Sequence, residues 1–312
     1  MSRISTTRHL RIAATCVLAP SLSLLSSLAG AQQFSGWSLA TQAPGINVPA
    51  PVNDGCPIES RDGLSLFIAS NRPGTLGGND IWVAERLSKN APWGAPQNLG
   101  APLNTGANDF CPTPVGGNWL FFVSERPGSD TCANMPGVGD IYLTRHTRNG
   151  WLEPTHLGCL ELGEGPNSVG AEFSPSFVET AEGTFLYFSS NSQGTQDIYM
   201  SRMDHHGNFG PPIRINELST GFDDRMPNVS KDGLEIVFSS NRNDLGGLGA
   251  QDVYISRREC TEDPWGPPVN AGPNVNTAGS ETRATMSWDR KRLYFGRDGD
   301  VYTSTRQKLP RQ

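Results

Sequence analysis

The sequence lacks the features that mark several common functional classes. Asp, Glu, Lys and Arg make up only 18% of the 312 residues, and the formal net charge is −6. An acidic chain gains nothing from contacts with phosphate groups, which argues against nucleic acid as a partner. The sequence contains no G-x-S-x-G motif, and its cysteine spacings match no zinc-binding pattern. No segment beyond the N-terminus is apolar enough to cross a bilayer.

The first 31 residues have the organisation of a signal peptide. Three arginines precede an apolar stretch (residues 12–28) that lacks acidic residues, and Ala29-Gly30-Ala31 resembles a cleavage site. A retained membrane anchor is the alternative, but Pro20 and several serines interrupt a stretch that is short for a span. We therefore predict removal of residues 1–31, which takes the net charge from −6 to −9. We expect residues 32–312 to be exported, to the periplasm or the cell exterior, without a transmembrane segment.

A strand-rich unit of about 55 residues occurs five times in the remaining chain. Each unit contains a tight turn, a strand with alternating apolar residues, a Gly-rich loop and a second strand that begins with Asp-Ile or Asp-Val. A short segment, with Pro near its start in four units, precedes the turn, and in four units an aromatic residue followed by Pro comes after the second strand. The central parts of the units are residues 62–86, 116–145, 182–202, 232–257 and 289–306.

Four antiparallel strands per unit are typical of a propeller blade. We therefore predict an all-β fold, a five-bladed β-propeller that forms a single domain over residues 32–312. The fifth unit ends without its outer aromatic strand, whereas Trp37 lies in such a segment near the N-terminus. We expect the N-terminal strand to complete the last blade, because this closure leaves no open sheet edge.

The repeat resembles the WD40-like repeat of TolB-type propellers. Units 1 and 4 match its Ser-Asn-Arg element best, through Ser70-Asn71-Arg72 and Ser240-Asn241-Arg242. Unit 2 has Ser124-Glu125-Arg126, unit 3 lacks the arginine at Ser192, and unit 5 has a short loop. The resemblance implies a periplasmic or surface protein, and many such domains bind other proteins or peptidoglycan-associated partners.

One acidic residue precedes each predicted innermost strand, and an arginine follows the second strand in four units. Propeller geometry places both sets at one mouth of the central channel. We predict that they form a ligand-binding ring, which consists of Asp54, Asp109, Glu172, Asp224 and Glu281 with Arg72, Arg126, Arg242 and Arg297.

This ring has two interpretations. In the architectural one, each carboxylate pairs with an arginine of its own or a neighbouring blade. In the functional one, some acids stay unpaired and bind a sugar, a peptide amine or a cation, and calcium is the cation that favours oxygen ligands. No resident cofactor is otherwise expected.

Two functions follow from these interpretations. The first is a binding or scaffolding module that recognises a protein, a peptide or a glycan at the channel mouth. The alternative is a glycan-active enzyme of the glycoside hydrolase type, in which Asp54 acts with Glu172 or Asp224. We expect a binding ring to pair each acid with an arginine, and an enzyme to leave two acids unpaired in a cleft with exposed aromatic residues. Few aromatic residues flank the acids: Phe110, Phe173 and Phe222.

A second set of acids and two pairs of cysteines have predicted structural roles. One acid begins each third strand, and we expect it to cap backbone N–H groups of its own Gly-rich loop. Cys132 and Cys159 lie in long loops on the channel face and are candidates for a disulfide. Cys56 and Cys111 occupy equivalent positions on adjacent inner strands and are a second candidate pair. The acids of this second set are Asp80, Asp140, Asp197, Asp252 and Asp300.

Overall fold

The chain folds into five antiparallel sheets arranged in a ring. The structure is a computed structural model that describes residues 33–127, 132 and 138–310. The innermost strands of neighbouring sheets contact one another from the first blade to the fifth and back to the first. This arrangement confirms the predicted five-bladed propeller. The predicted signal peptide lies outside the described residues.

Each blade has four main strands. Blade 1 consists of β2 (Asp54–Glu59), β3 (Ser65–Ser70), β4 (Asp80–Glu85) and β5 (Gln97–Asn98). Blade 2 consists of β6 (Asp109–Val115), β7 (Trp119–Ser124), β8 (Asp140–Thr147) and β10 (Thr155–His156), and the short β9 (Gly150–Trp151) also pairs with β8. Blade 3 consists of β11 (Glu172–Glu179), β12 (Thr184–Ser190), β13 (Asp197–Arg202) and β14 (Ile213–Arg214).

The last two blades repeat this plan. Blade 4 consists of β15 (Asp224–Val229), β16 (Glu235–Ser240), β17 (Asp252–Arg257) and β18 (Val269–Asn270). Blade 5 consists of β19 (Glu281–Met286), β20 (Arg292–Arg297), β21 (Asp300–Thr305) and, from the other end of the chain, β1 (Thr41–Gln42). No helix in the described part of the chain is long and apolar enough to span a membrane.

The hydrophobic core lies between the blades, because each sheet buries both of its faces against its neighbours. Tyr187 of β12, for example, shares one buried cluster with Ile236 and Phe238 of β16 in the next blade. Equivalent clusters join the other neighbouring blades. The alternation of apolar residues in the second and third strands supplies the side chains for these layers.

The N-terminal strand closes the ring, as the sequence predicts. β1 pairs with β21 in antiparallel register, with Thr41 opposite Thr303. Trp37 is buried against the same blade, and the Arg306 guanidinium lies 4.3 Å from the centroid of its ring. Arg306 also forms an ion pair with Glu235 of blade 4, with a shortest distance of 2.6 Å. The closure therefore involves both the last blade and its neighbour.

Lateral contacts between the innermost strands form a second, inner ring. Each neighbouring pair of these strands is joined by a side chain: a disulfide joins blades 1 and 2, and hydrogen bonds join the other four pairs. The contacts, in order around the ring, are Cys56–Cys111, Thr113 Oγ1 to Pro175 O, Val229 N to Ser176 Oγ (2.9 Å), Met286 N to Asn228 Oδ1 (2.9 Å) and Thr285 Oγ1 to Pro57 O (2.7 Å).

The closure can be tested with Trp37→Ala in the chain that begins at residue 32. Loss of a buried tryptophan removes packing and leaves a cavity, so we expect the free energy of unfolding to fall by about 3–5 kcal/mol in denaturant titrations. Leu39→Ala is the matched control, because Leu39 belongs to the same segment and is 71% exposed. An equal effect of both substitutions would contradict a specific role for Trp37.

Candidate functional site at the channel mouth

The five predicted acids begin the five innermost strands and therefore lie at the same mouth of the channel. All are buried, with at most 1% of each residue exposed. The backbone N–H of each acid donates to a carbonyl of the preceding blade, next to the start of its third strand. These bonds are Asp54 to Gly299, Asp109 to Asn79, Glu172 to Gly139, Asp224 to Gln196 and Glu281 to Gln251, with distances of 2.7–2.8 Å.

Four of the acids pair with an arginine of their own blade. Each of these arginines also donates to a backbone carbonyl in the segment that enters the blade, such as Ile46 for Arg72. The ion pairs are Arg72–Asp54 (2.5 Å), Arg126–Asp109 (2.9 Å), Arg242–Asp224 (2.5 Å) and Arg297–Glu281 (2.7 Å). This geometry matches the architectural interpretation, since buried charges need such partners. A further contribution to ligand binding stays a prediction.

Blade 3 departs from this pattern, because Ser192 replaces the arginine. The Glu172 carboxyl forms hydrogen bonds with the Ser168 and Ser190 hydroxyls, at 2.5 and 2.7 Å, and accepts one from the Ser168 backbone N–H at 3.1 Å. No cation lies within 4 Å of it among the described residues. Burial raises the pKa of Glu172 to about 8, against an ordinary value of 4.5, so the group is protonated at neutral pH.

A cavity of about 260 Å³ opens at this mouth between blades 1, 2 and 5. Its polar lining comes mainly from side chains next to the acids: Asn53 and Asn108 precede an acid, whereas Thr282 follows one. The Asn108 amide donates to Glu125 Oε2 at 2.6 Å, and Asn108 Oδ1 accepts the Asn79 backbone N–H at 2.8 Å. The cavity thus presents amide, hydroxyl and carboxylate groups in a small area.

Phe110 is the aromatic residue of the cavity lining. It directly follows Asp109, is partly exposed, and its ring centroid lies 5.7 Å from that of Phe173 in blade 3. The sequence places Phe110 beside the acids but does not single out the asparagines or Glu125 as lining residues. Their only signal in the sequence is their position next to repeated acids or arginines.

In the described part of the chain, no group of three metal-ligating side chains converges at the mouth. Within the described residues, one group of three such side chains has ligand atoms within 4.8 Å of one another: Cys132, His156 and Cys159. Cys132 and Cys159 form a disulfide, so their sulfur atoms are engaged. Calcium at the acid ring stays a prediction.

The second set of acids connects the third strand of each blade to its outermost strand. Capping of the Gly-rich loop occurs in blades 1 and 4, where Asp80 accepts the Leu76 N–H and Asp252 accepts the Leu248 N–H. A contact to the last residue of the outer strand occurs in all five blades. These contacts are Asp80–Asn98 (2.7 Å), Asp140–His156 (3.2 Å), Asp197–Arg214 (2.8 Å), Asp252–Asn270 (2.9 Å) and Asp300–Gln42 (2.6 Å).

Both candidate disulfides are present. Cys132–Cys159 joins the long loop of blade 2 to the connection into blade 3, with the Cα atoms 5.5 Å apart. Cys56–Cys111 joins the inner strands of blades 1 and 2, with the Cα atoms 4.8 Å apart. Inner strands therefore approach closely enough for a bridge, because the blades converge toward the channel.

Neither a family model nor a curated protein matches this sequence. Among solved structures, the fold is similar to a thermostable family-43 glycoside hydrolase, with a TM-score of 0.54, 13% identity and coverage of 87% of this chain and 93% of that chain. It is also similar to the catalytic domain of Coprinopsis cinerea GH62 α-L-arabinofuranosidase, with a TM-score of 0.54, 14% identity and coverage of 87% and 97%.

TolB from Acinetobacter baumannii gives a TM-score of 0.45 and 15% identity, over 76% of this chain and 47% of that chain. This similarity is too low to support an inference. At these identities the comparisons establish the propeller fold alone.

The protonation state of Glu172 can be tested through the pH dependence of the free energy of unfolding. An unfolded chain ionises this group near its ordinary pKa of 4.5, whereas the folded chain keeps it protonated up to about 8. The stabilising contribution of protonated Glu172 to the free energy of unfolding is therefore fully present below pH 4.5. This contribution is lost, by a few kcal/mol in all, as the pH rises toward 8. We expect this slope in denaturant titrations of the wild type.

Two variants test whether this pH dependence arises from Glu172. Glu172→Gln cannot ionise, so it should lack the contribution. Ser192→Arg supplies the cation found in the other four blades, so it should lower the pKa of Glu172 and flatten the slope. An unchanged slope in Glu172→Gln would contradict the assignment.

Proposed function

We propose that this protein is an exported glycan-binding propeller that holds a saccharide at the channel mouth. The lining of the mouth cavity is the observation that carries the proposal. Sugar hydroxyls both donate and accept hydrogen bonds, and the Asn53, Asn79 and Asn108 amides with the Glu125 carboxylate offer both functions. Phe110 supplies an apolar face for the C–H side of a sugar ring.

The solved structures favour a glycan over a protein or peptide as the ligand. Three structures with TM-scores above 0.5 are a glycoside hydrolase and two arabinofuranosidases, which are glycan-active proteins. The alignments with these three structures cover 86–87% of this chain and 93–97% of theirs. This structural similarity supports a glycan ligand. The chemistry at the mouth is inferred from the residues of this chain.

Glycan hydrolysis is the second candidate, and Glu172 is the observation that favours it. A carboxylic acid that stays protonated at neutral pH has the property required of a general acid. Hydrolysis also needs a second carboxylate as base or nucleophile. Asp54 and Asp224, the predicted partners, are each engaged by an arginine and buried. Glu172 is also buried and does not line the cavity, so binding is the function that the geometry supports better.

Export agrees with the two disulfides in the described chain. Disulfides persist in oxidising compartments such as the periplasm and the cell exterior. Together with the predicted signal peptide, they support a location where cell-wall or environmental glycans are available.

The proposal can be tested by calorimetric titration of the chain from residue 32 with neutral oligosaccharides, including arabinan, xylan and cell-wall fragments. We expect saturable binding of at least one glycan and, in Phe110→Ala, a dissociation constant about tenfold higher, the size of one lost stacking contact. Phe222→Ala is the matched control, since Phe222 flanks another acid at the same mouth but does not line the cavity. Absence of glycan binding, or equal losses in both variants, would overturn the proposal.

A turnover assay on the same glycans separates binding from hydrolysis. Release of new reducing ends by the wild type, lost in Glu172→Gln with binding retained, would establish the second candidate. Binding without release of reducing ends would establish the first.

A further inference from the structure

A hollow of about 540 Å³ lies on blade 2, at the end opposite the channel mouth. It is formed where β7 begins and where β8 ends, next to the turn into β9. Its lining consists of Asn118, Arg145, His146, Thr147 and Arg148. Two guanidinium groups and an imidazole therefore share one hollow, whose described lining residues include no acid, on a chain with a net charge of −6.

The two arginines of this hollow have no acidic partner. Among the described residues, no carboxylate lies within 4 Å of the Arg145 or Arg148 guanidinium, although most other buried or half-buried arginines form ion pairs. Unneutralised cations in a concave surface attract anions, and guanidinium groups match carboxylate and sulfate oxygens with paired N–H donors.

The repeat shows why Arg145 is unpaired. In blade 4, the residue equivalent to Arg145 is Arg257, which lies opposite Glu235 and forms an ion pair with it at 2.7 Å. In blade 2, Trp119 takes the position of that glutamate, opposite Arg145. The Arg145 guanidinium therefore stacks near the Trp119 ring, at 5.3 Å from its centroid, and keeps its charge unneutralised.

Two of the lining side chains and the turn that carries Arg148 are also held in place. Arg145 Nε donates to the Gly117 carbonyl at 3.2 Å, which leaves its two terminal nitrogens available to a ligand. The His146 ring packs against Trp151, with 4.9 Å between centroids. Pairing of β8 with β9, a strand that the other blades lack in the described chain, fixes the turn that carries Arg148. Preorganised groups lose little entropy on binding.

We propose that this hollow is a second binding site, which takes the carboxylate or sulfate groups of an acidic glycan. The anion chemistry follows from Arg145, His146 and Arg148, whereas the glycan part rests on the function proposed above. The site lies at the opposite end of the blade from the mouth cavity. Neutral and acidic segments of a glycan therefore bind at separate sites on the protein.

The proposal can be tested by titrating the chain from residue 32 with inorganic sulfate, an oligogalacturonate, a sulfated oligosaccharide and a neutral oligosaccharide of equal length. We expect an acidic glycan to bind, with affinity that falls as salt screens the charges. In Arg145→Gln/Arg148→Gln, the dissociation constant should rise at least about tenfold, since charge-assisted hydrogen bonds are lost. Comparison of uronate with sulfated glycan identifies the anionic group.

Arg257→Gln is the matched control, because it removes an arginine from the equivalent position of blade 4, where Glu235 neutralises it. It should leave binding unchanged, and thermal unfolding should show that all variants are folded. Equal losses in Arg257→Gln and in the double variant, binding of inorganic sulfate alone, or no preference for acidic glycans would overturn the proposal.

Phe110→Ala makes the two proposals distinguishable. Neutral glycan binding that depends on Phe110, without any gain from acidic groups, would overturn the second site and support the first. Acidic glycan binding that depends on Arg145 and Arg148 alone would support the second site and overturn the mouth.

Discussion

The carboxyl group that begins each innermost strand is the constraint on which the rest of the structure depends. Its backbone N–H is fixed to the preceding blade, and its side chain holds the segment that enters its own blade. Four of these carboxylates are neutralised by a neighbouring arginine, because an isolated charge in this position carries a large desolvation cost. The acids therefore shape the channel mouth, and the side chains beside them determine what the mouth presents to a ligand.

The fold was predictable from the sequence because its signals are local and repeated. Alternating strands, Asp-Gly turns and the unpartnered Trp37 segment fixed the number of blades and their closure. The cavity lining was not predictable, because Asn53, Asn79, Asn108 and Thr282 come from three blades and differ between repeats. The missing arginine at Ser192 was visible in the sequence, but the uncharged state of Glu172 depends on burial by surrounding strands.

Two blades of this propeller contain ionisable groups whose surroundings differ from those at equivalent positions in other blades. Blade 3 has a serine in place of an arginine and so contains a neutral carboxyl group. Blade 2 has Trp119 where blade 4 has Glu235, so Arg145 has no carboxylate partner among the described residues. The repeat supplies a comparison in both cases: four blades show the neutralised acid, and blade 4 shows the neutralised arginine. A repeated framework thus tolerates local charge changes without loss of the fold.

The pairing of β1 with β21 has a consequence for the order in which the chain can fold. Thr41 and its partner in the last blade, Thr303, lie near opposite ends of the described chain. The first strand therefore stays unpaired until the last blade has formed. Because a contact so distant in sequence forms slowly, closure of the ring between β1 and β21 is a late event in folding.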